Sequence, residues 1–184
     1  MNPIAQKILD DMPSESLWAD SKWSKLSGFS NQKKALFGET WIAKELEKLG
    51  RKAEVKLDET NYDVLVDDSI EVEVKLAMAR KDGGEKLVLD FIQWQHLDIE
   101  RSDVYAFIGI NPECNYRIRG GWREEVEESF ILYFTSEQLQ ELYAQQPEKE
   151  ALLLPTKGNK QDFQTTKPFL KRINYGADYR EFPL

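Results

Sequence analysis

From Ile70 to Leu76 apolar and charged residues alternate without a break, in the order Ile70, Glu71, Val72, Glu73, Val74, Lys75, Leu76. Successive side chains on a strand point to opposite faces, so this run reads as a half-buried strand. Its four aliphatic residues form a core face, and Glu71, Glu73 and Lys75 share the other. Just upstream, NYDVLVD places Tyr62, Val64 and Val66 on one face and Asp63, Leu65 and Asp67 on the other. The polar stretch Asp67-Asp68-Ser69 is a tight connection, so the two runs form a hairpin that sets Asp63 near the Glu73 end of its neighbour. KAEVKL, a little earlier, supplies a third short strand.

The flanks extend this pattern. Ile4, Ile8 and Leu9 have helical spacing before Pro13, and SESLWADSKWSKL predicts a second short helix with Leu17, Trp18 and Leu26 turned inward. Ser30 is a suitable N-cap for a long helix through NQKKALFGETWIAKELEKLG, stopped at Gly50. Ala35, Leu36, Ile42, Ala43, Leu46 and Leu49 are expected to form its buried face. After the hairpin and a polar loop, Asp90 with Gln93 resembles a capping box, and FIQWQHLDIE reads as a helix behind it. DVYAFIGI is then a buried strand. Beyond residue 111 the expectation is a loop-rich excursion, a strand at SFILYF, and a helix opened by Thr135 and Gln138. A tail restricted by Pro155, Pro168 and Pro183 reads as irregular. A chain of 184 residues without internal repeats or an evident linker is expected to form one domain.

Composition removes several chemistries. One cysteine, Cys114, and one histidine, His96, exclude an internal disulfide, a Cys/His structural zinc site and an HExxH metalloprotease. A hydrolytic triad would have to use His96, which lies in FIQWQHLDI with no nucleophile elbow anywhere in the chain. No long apolar run suggests a membrane span, and MNPIAQKILDDMP lacks the layout of a secretory signal, so a cytoplasmic location is expected. The net charge of −8 disfavours a general polyanion-binding surface. It is compatible with a metal site, which concentrates acids.

The charged face of the Ile70–Leu76 strand has an ordinary explanation as a solvated Glu–Lys ladder. Two neighbours point elsewhere. Asp63 is brought beside Glu73 by the hairpin, and Glu39 follows Gly38 on an apolar stripe of the long helix. A carboxylate on an inward face is costly unless paired or bound to a cation, although Glu39 can also be a half-exposed edge residue. A mid-helix glycine costs stability unless close approach requires it. Converging carboxylates suit Mg²⁺ or Mn²⁺, hard ions that take oxygen ligands and leave room for water and phosphate. An ammonium beside them can stabilise a phosphate under attack and orient the attacking water.

Asp63, nine intervening residues and then Glu73-Val74-Lys75, with Asn61-Tyr62 ahead of the aspartate, resembles the signature of the PD-(D/E)XK nuclease superfamily. Tyr62 stands where the motif's proline would be. The order of elements over about residues 30–110 is similar to that superfamily's αβββαβ core. The resemblance implies a restriction-endonuclease-like α/β fold, a mixed central sheet flanked by helices, with a helical N-terminal prelude (1–29) and a C-terminal extension (111–184). It implies Asp63 and Glu73 as metal ligands together with the Val74 carbonyl, Lys75 as the catalytic lysine, and Glu39, the acidic residue of the first core helix, as a further metal-site residue that supports a second ion or a metal-bound water. Gln93 or Gln95 would match an accessory glutamine on the second core helix, although Gln93 can equally be a cap. The implied activity is a divalent-metal-dependent DNA endonuclease, restriction-type or structure-specific, working as a homodimer. The alternative is a catalytically inactive module of the same fold that binds nucleic acid or protein.

Two stretches suit a phosphate backbone. RIRGGWR combines Arg117, Arg119 and Arg123 with two glycines and Trp122, and can equally be a charged hairpin tip next to EEVEE. The tail from Pro155 to Gly176 carries Lys157, Lys160, Lys167, Lys171 and Arg172 against Asp162.

Overall fold

The protein is described by a computed structural model covering residues 2–11, 21–57, 61–78, 92–111, 116–119, 122–125, 128–145, 153–155, 161–164 and 179–184. The predicted helical prelude is present as α1 (Pro3–Asp11) and a single turn, α2 (Ser24–Ser27). Leu17 and Trp18 lie outside the described residues. Ser30 caps α3 (Asn31–Lys48), its Oγ accepting the Lys33 N–H at 3.3 Å.

The three predicted strands follow as β1 (Ala53–Val55), β2 (Val64–Val66) and β3 (Ile70–Met78). They form an antiparallel meander with Val64 opposite Val72 and Val66 opposite Ile70. Asp67 and Asp68 hold φ of 49° and 61°, and the Ser69 N–H returns to the Val66 carbonyl. Two consecutive left-handed residues give the connection the right-handed twist that a hairpin needs, and aspartate tolerates that conformation.

The segment read as a second core helix is instead a strand, β4 (Gln93–Leu97). Ile92 and Trp94 are buried, with half-buried Gln93 between them and exposed Gln95 after them, a period of two. At His96 the backbone turns to φ 59°, a bulge that skips one residue and brings Leu97 back inside. Asp90, the expected cap, lies outside the described residues. β5 (Val104–Ile110) is buried along its whole length, as DVYAFIGI predicted. RIRGGWR falls on a hairpin, β6 (Tyr116–Arg119) and β7 (Trp122–Glu125), a separate two-stranded sheet. β8 (Ser129–Thr135) leads into α4 (Ser136–Gln145). A reciprocal capping box joins them: the Thr135 N–H donates to Gln138 Oε1 at 2.9 Å, and the Gln138 N–H donates to Thr135 Oγ1 at 3.1 Å. The tail is not wholly irregular. β9 (Leu153–Pro155) and β10 (Gln161–Gln164) pair antiparallel, and β10 also pairs with β4. Pro155 lies on β9, an edge strand of this sheet, the kind of place where a residue without an N–H is tolerated.

The central sheet runs β1-β2-β3-β5-β8, with β3 and β5 parallel and the other pairs antiparallel. The architecture is therefore mixed α/β, a five-stranded mixed sheet flanked by helices. On one face α3 covers Val72, Val74, Val104, Ala106 and Ile108, and α1 packs against α3. The buried side of α3 is Phe37, Gly38, Trp41, Ile42, Ala43 and Leu46. Ala35, Leu36 and Leu49 belong to the exposed side, contrary to the stripe expected from sequence. The two aromatics decide the rotation of the helix. Trp41 stacks on Trp23 at 5.9 Å and meets Phe37 edge-on at 5.6 Å, and each such buried ring contributes about 1.5–3 kcal/mol. On the other face Trp94, Tyr105, Phe107, Phe130 and Phe134 form a second, aromatic core with Leu97, Leu132 and Leu139. Among the described residues, no helix is long and apolar enough to cross a membrane.

Candidate active site

The candidate residues meet where β2 parts from β3. Asp63 stands one residue before β2, and the ladder turns irregular there. Its N–H donates to the Val72 carbonyl at 3.0 Å, and its Oδ2 accepts the Val74 N–H at 2.7 Å. The carboxylate thus caps a backbone donor of the neighbouring strand and is held in one orientation by it. On the far side, the Asp63 carbonyl accepts the Lys56 N–H at 2.9 Å, tying the residue to the strand β1 as well. Glu73 and Lys75 project from β3 on one face, as alternation predicted, and form an ion pair with Nζ 2.5 Å from Oε1. Their side chains are 16% and 26% exposed, so the pair sits at a mouth and not on an open surface.

Glu39 approaches from α3. The helix comes close to the sheet at Gly38, where a Cβ would lie 3.2 Å from Leu76 Cβ and 3.4 Å from Ile108 Cδ1. That close approach is the reason for a glycine in mid-helix, and the next residue is carried toward the carboxylates. Burial, then the negative charges of Asp63 and Glu73, push the Glu39 carboxyl up to about 7, with Lys75 opposing. Burial also raises the Asp63 carboxyl, to about 6. Glu73 adds to this, while the Val74 N–H, Lys75 and Arg101 work against it. Three acids that repel one another beside one ammonium form an electron-rich site short of positive charge.

This donor set fits a hard divalent cation in type. Asp63, just ahead of β2, Glu73 and the Val74 carbonyl offer oxygens, and a cation would offset both the burial and the mutual repulsion that raise Asp63 and Glu39. As the side chains stand, no three acidic, histidine or cysteine residues among those described converge tightly enough to hold an ion together.

Arg101 was not legible in the sequence as a site residue. The turn Asp98–Ser102 precedes β5 and is fastened to the site at several points. Tyr105, level with Glu73 across the parallel ladder, accepts the N–H groups of Arg101 and Ser102 on its hydroxyl at 3.0 and 3.1 Å. That hydroxyl donates in turn to the Asp98 carbonyl. The Ser102 hydroxyl donates to the Asn61 carbonyl at 3.1 Å, and the Arg101 guanidinium donates to Asn61 Oδ1 at 3.0 Å. Asp103 completes the fastening, its Oδ2 accepting the Glu71 N–H at 2.9 Å.

The remaining expected residues are dispersed. Gln93 and Gln95 lie on the strand β4, so neither occupies a helix behind the site. Arg117, Arg119, Trp122 and Arg123 belong to the β6–β7 hairpin, whose register sets Arg117 opposite Glu124 and Arg119 opposite Trp122. Lys157, Lys160, Lys167, Lys171 and Arg172 lie outside the described residues.

Compared with models of known protein families and with curated protein sequences, the chain matches none.

Proposed function

We propose that the protein is a Mg²⁺- or Mn²⁺-dependent DNA endonuclease with a site of the PD-(D/E)XK type on a restriction-endonuclease-like fold. The observation that carries this reading is the Asp63 carboxylate fixed by the Val74 N–H, next to the Glu73–Lys75 pair, where β2 and β3 separate. The strand order supports it too: an antiparallel meander after a long helix, then a parallel neighbour for the strand of Glu73.

Asp63, Glu73 and the Val74 carbonyl would hold the ion. When bound, a divalent ion offsets the charge that grows on a phosphate oxygen and makes a coordinated water more acidic. Lys75 Nζ, already held by Glu73, orients the attacking water and neutralises the phosphate under attack. Glu39 would support a second ion or a metal-bound water beside them. Cutting both strands of a duplex needs two such sites, which a homodimer supplies.

The test is nicking of supercoiled plasmid with Mg²⁺ or Mn²⁺, followed by a panel of labelled DNA and RNA substrates. Lys75→Ala and Asp63→Asn are expected to lower the rate about 10²-fold or more, with circular dichroism unchanged. Asn is preferred to Ala at 63 because its carbonyl still accepts the Val74 N–H. One observation favours a second reading, a catalytically inactive nucleic-acid-binding module. Glu73 is already neutralised by Lys75 without any ion. DNA affinity with no cleavage in either metal selects that reading.

A further inference from the structure

We infer that Arg101 is a phosphate anchor at the mouth of this site, gripping the substrate strand at a phosphate next to the one being cut. The inference rests on the DNA-cleaving reading above and adds a residue to it.

A guanidinium offers five donors in a rigid fork, and in an acidic chain such a group ordinarily pairs with a carboxylate. Arg101 does not. Its side chain is exposed, and its one hydrogen-bond partner among the described residues is a neutral amide oxygen, Asn61 Oδ1. Its charge is nevertheless felt by Asp63. The two cations of the site thus differ in kind. Lys75 is paired directly with Glu73, whereas Arg101 is exposed and, among the described residues, forms no ion pair with a carboxylate.

The backbone beneath it is prepared for load. Both the Arg101 and Ser102 N–H groups are bound by a buried tyrosine hydroxyl, and Ser102, 5% exposed, is pinned to the Asn61 carbonyl. Asn61 lies two residues before Asp63. The anchor and the metal-binding carboxylate are therefore braced against the same short segment, which fixes their separation. A flexible arginine on a free loop would lose affinity to the entropy of ordering, and this one has its backbone ordered in advance. Arginine is the side chain suited to a phosphodiester, which accepts two parallel N–H bonds.

A structural brace for Asn61 is the competing role, and Arg101→Gln separates the two. Glutamine removes the charge and keeps a polar N–H donor, two bonds short of the arginine Nη2. The measurement is binding of fluorescein-labelled duplex DNA without divalent metal, titrated over a range of salt concentrations, alongside plasmid nicking with Mg²⁺. Arg101→Gln is expected to weaken binding about tenfold and to reduce the slope of log K against log salt by about one phosphate contact. Arg101→Lys should restore the slope but only part of the affinity. An unchanged affinity and slope in Arg101→Gln, with wild-type nicking intact, overturns the anchor and leaves the nuclease reading standing. Wild-type protein that neither binds nor nicks DNA overturns both.

Discussion

The two faces of the central sheet are built by different means. A helix covers one, and its contact with β3 is set by Gly38 against Leu76. The other receives a second sheet and an aromatic core, and its tightest contact is Gly109 of β5 under the ring of Phe130. Both faces use a missing side chain, but the tolerances differ. A Cβ at 38 would need a few tenths of an ångström from Leu76. At 109 it would lie 2.3 Å from Phe130 Cζ, well inside van der Waals contact with the ring. The helix face can thus give slightly, and it is the face that carries Glu39. The aromatic face is locked, and it supports Tyr105 and the turn that carries Arg101.

Gly109→Ala should therefore produce the largest loss of stability, about 3 kcal/mol by chemical denaturation, since neither backbone nor ring can yield. A loss below about 1 kcal/mol would show the aromatic face to be as adaptable as the other.

The effect of pH on the helix face comes next. Glu39 and Asp63 hold their protons to higher pH in the folded chain than in the unfolded one, where the reference values are 4.5 and 3.8. This contribution to stability is complete below about pH 4 and is lost as pH rises through 6 to 7, where the folded carboxyls ionise. Glu39→Gln imitates the protonated acid, so it should match the wild type near pH 4. At pH 8 it should exceed the wild type by about 1–2 kcal/mol, a figure reduced from the full shift because Glu39 is only half-buried. Thermal melts at the two pH values measure this difference. Millimolar Mg²⁺ at pH 8 should narrow the gap under the proposed function.

Gly38→Ala is the smallest change. Alanine gains about 1 kcal/mol of helix propensity and loses a comparable or larger amount by pressing on Leu76. The expected sum is a destabilisation of about 1 kcal/mol or less, again by denaturation, and a net gain in stability would show the Leu76 contact to be looser than its distance implies.

These differences also explain how far the sequence could be read. The β2–β3 hairpin, the Ser30 cap and the Thr135–Gln138 box rest on residues a few positions apart, so local physics declares them. Asp63, Glu73 and Lys75 were legible for the same reason, and Gly38 marked the close approach of the helix. The side of α3 that turns inward was not, because it depends on Trp23, a residue outside the helix, stacking on Trp41. β4 was misread because the bulge at His96 shifts Leu97 by one place, and a broken period of two imitates a helical stripe. β9 and β10 are short and take their stability from pairing with each other and with β4. Arg101 was invisible because its meaning depends on Asn61, forty residues earlier in the chain.

The bond from the Val74 amide to the Asp63 carboxylate has one further use. It makes a single backbone proton the natural gauge of the charge on the Asp63 carboxylate, since its resonance must move whenever that carboxylate is protonated, replaced or, under the proposed function, coordinated. The occupancy of the site can therefore be followed at one peak of an amide spectrum, with no substrate present and no turnover required.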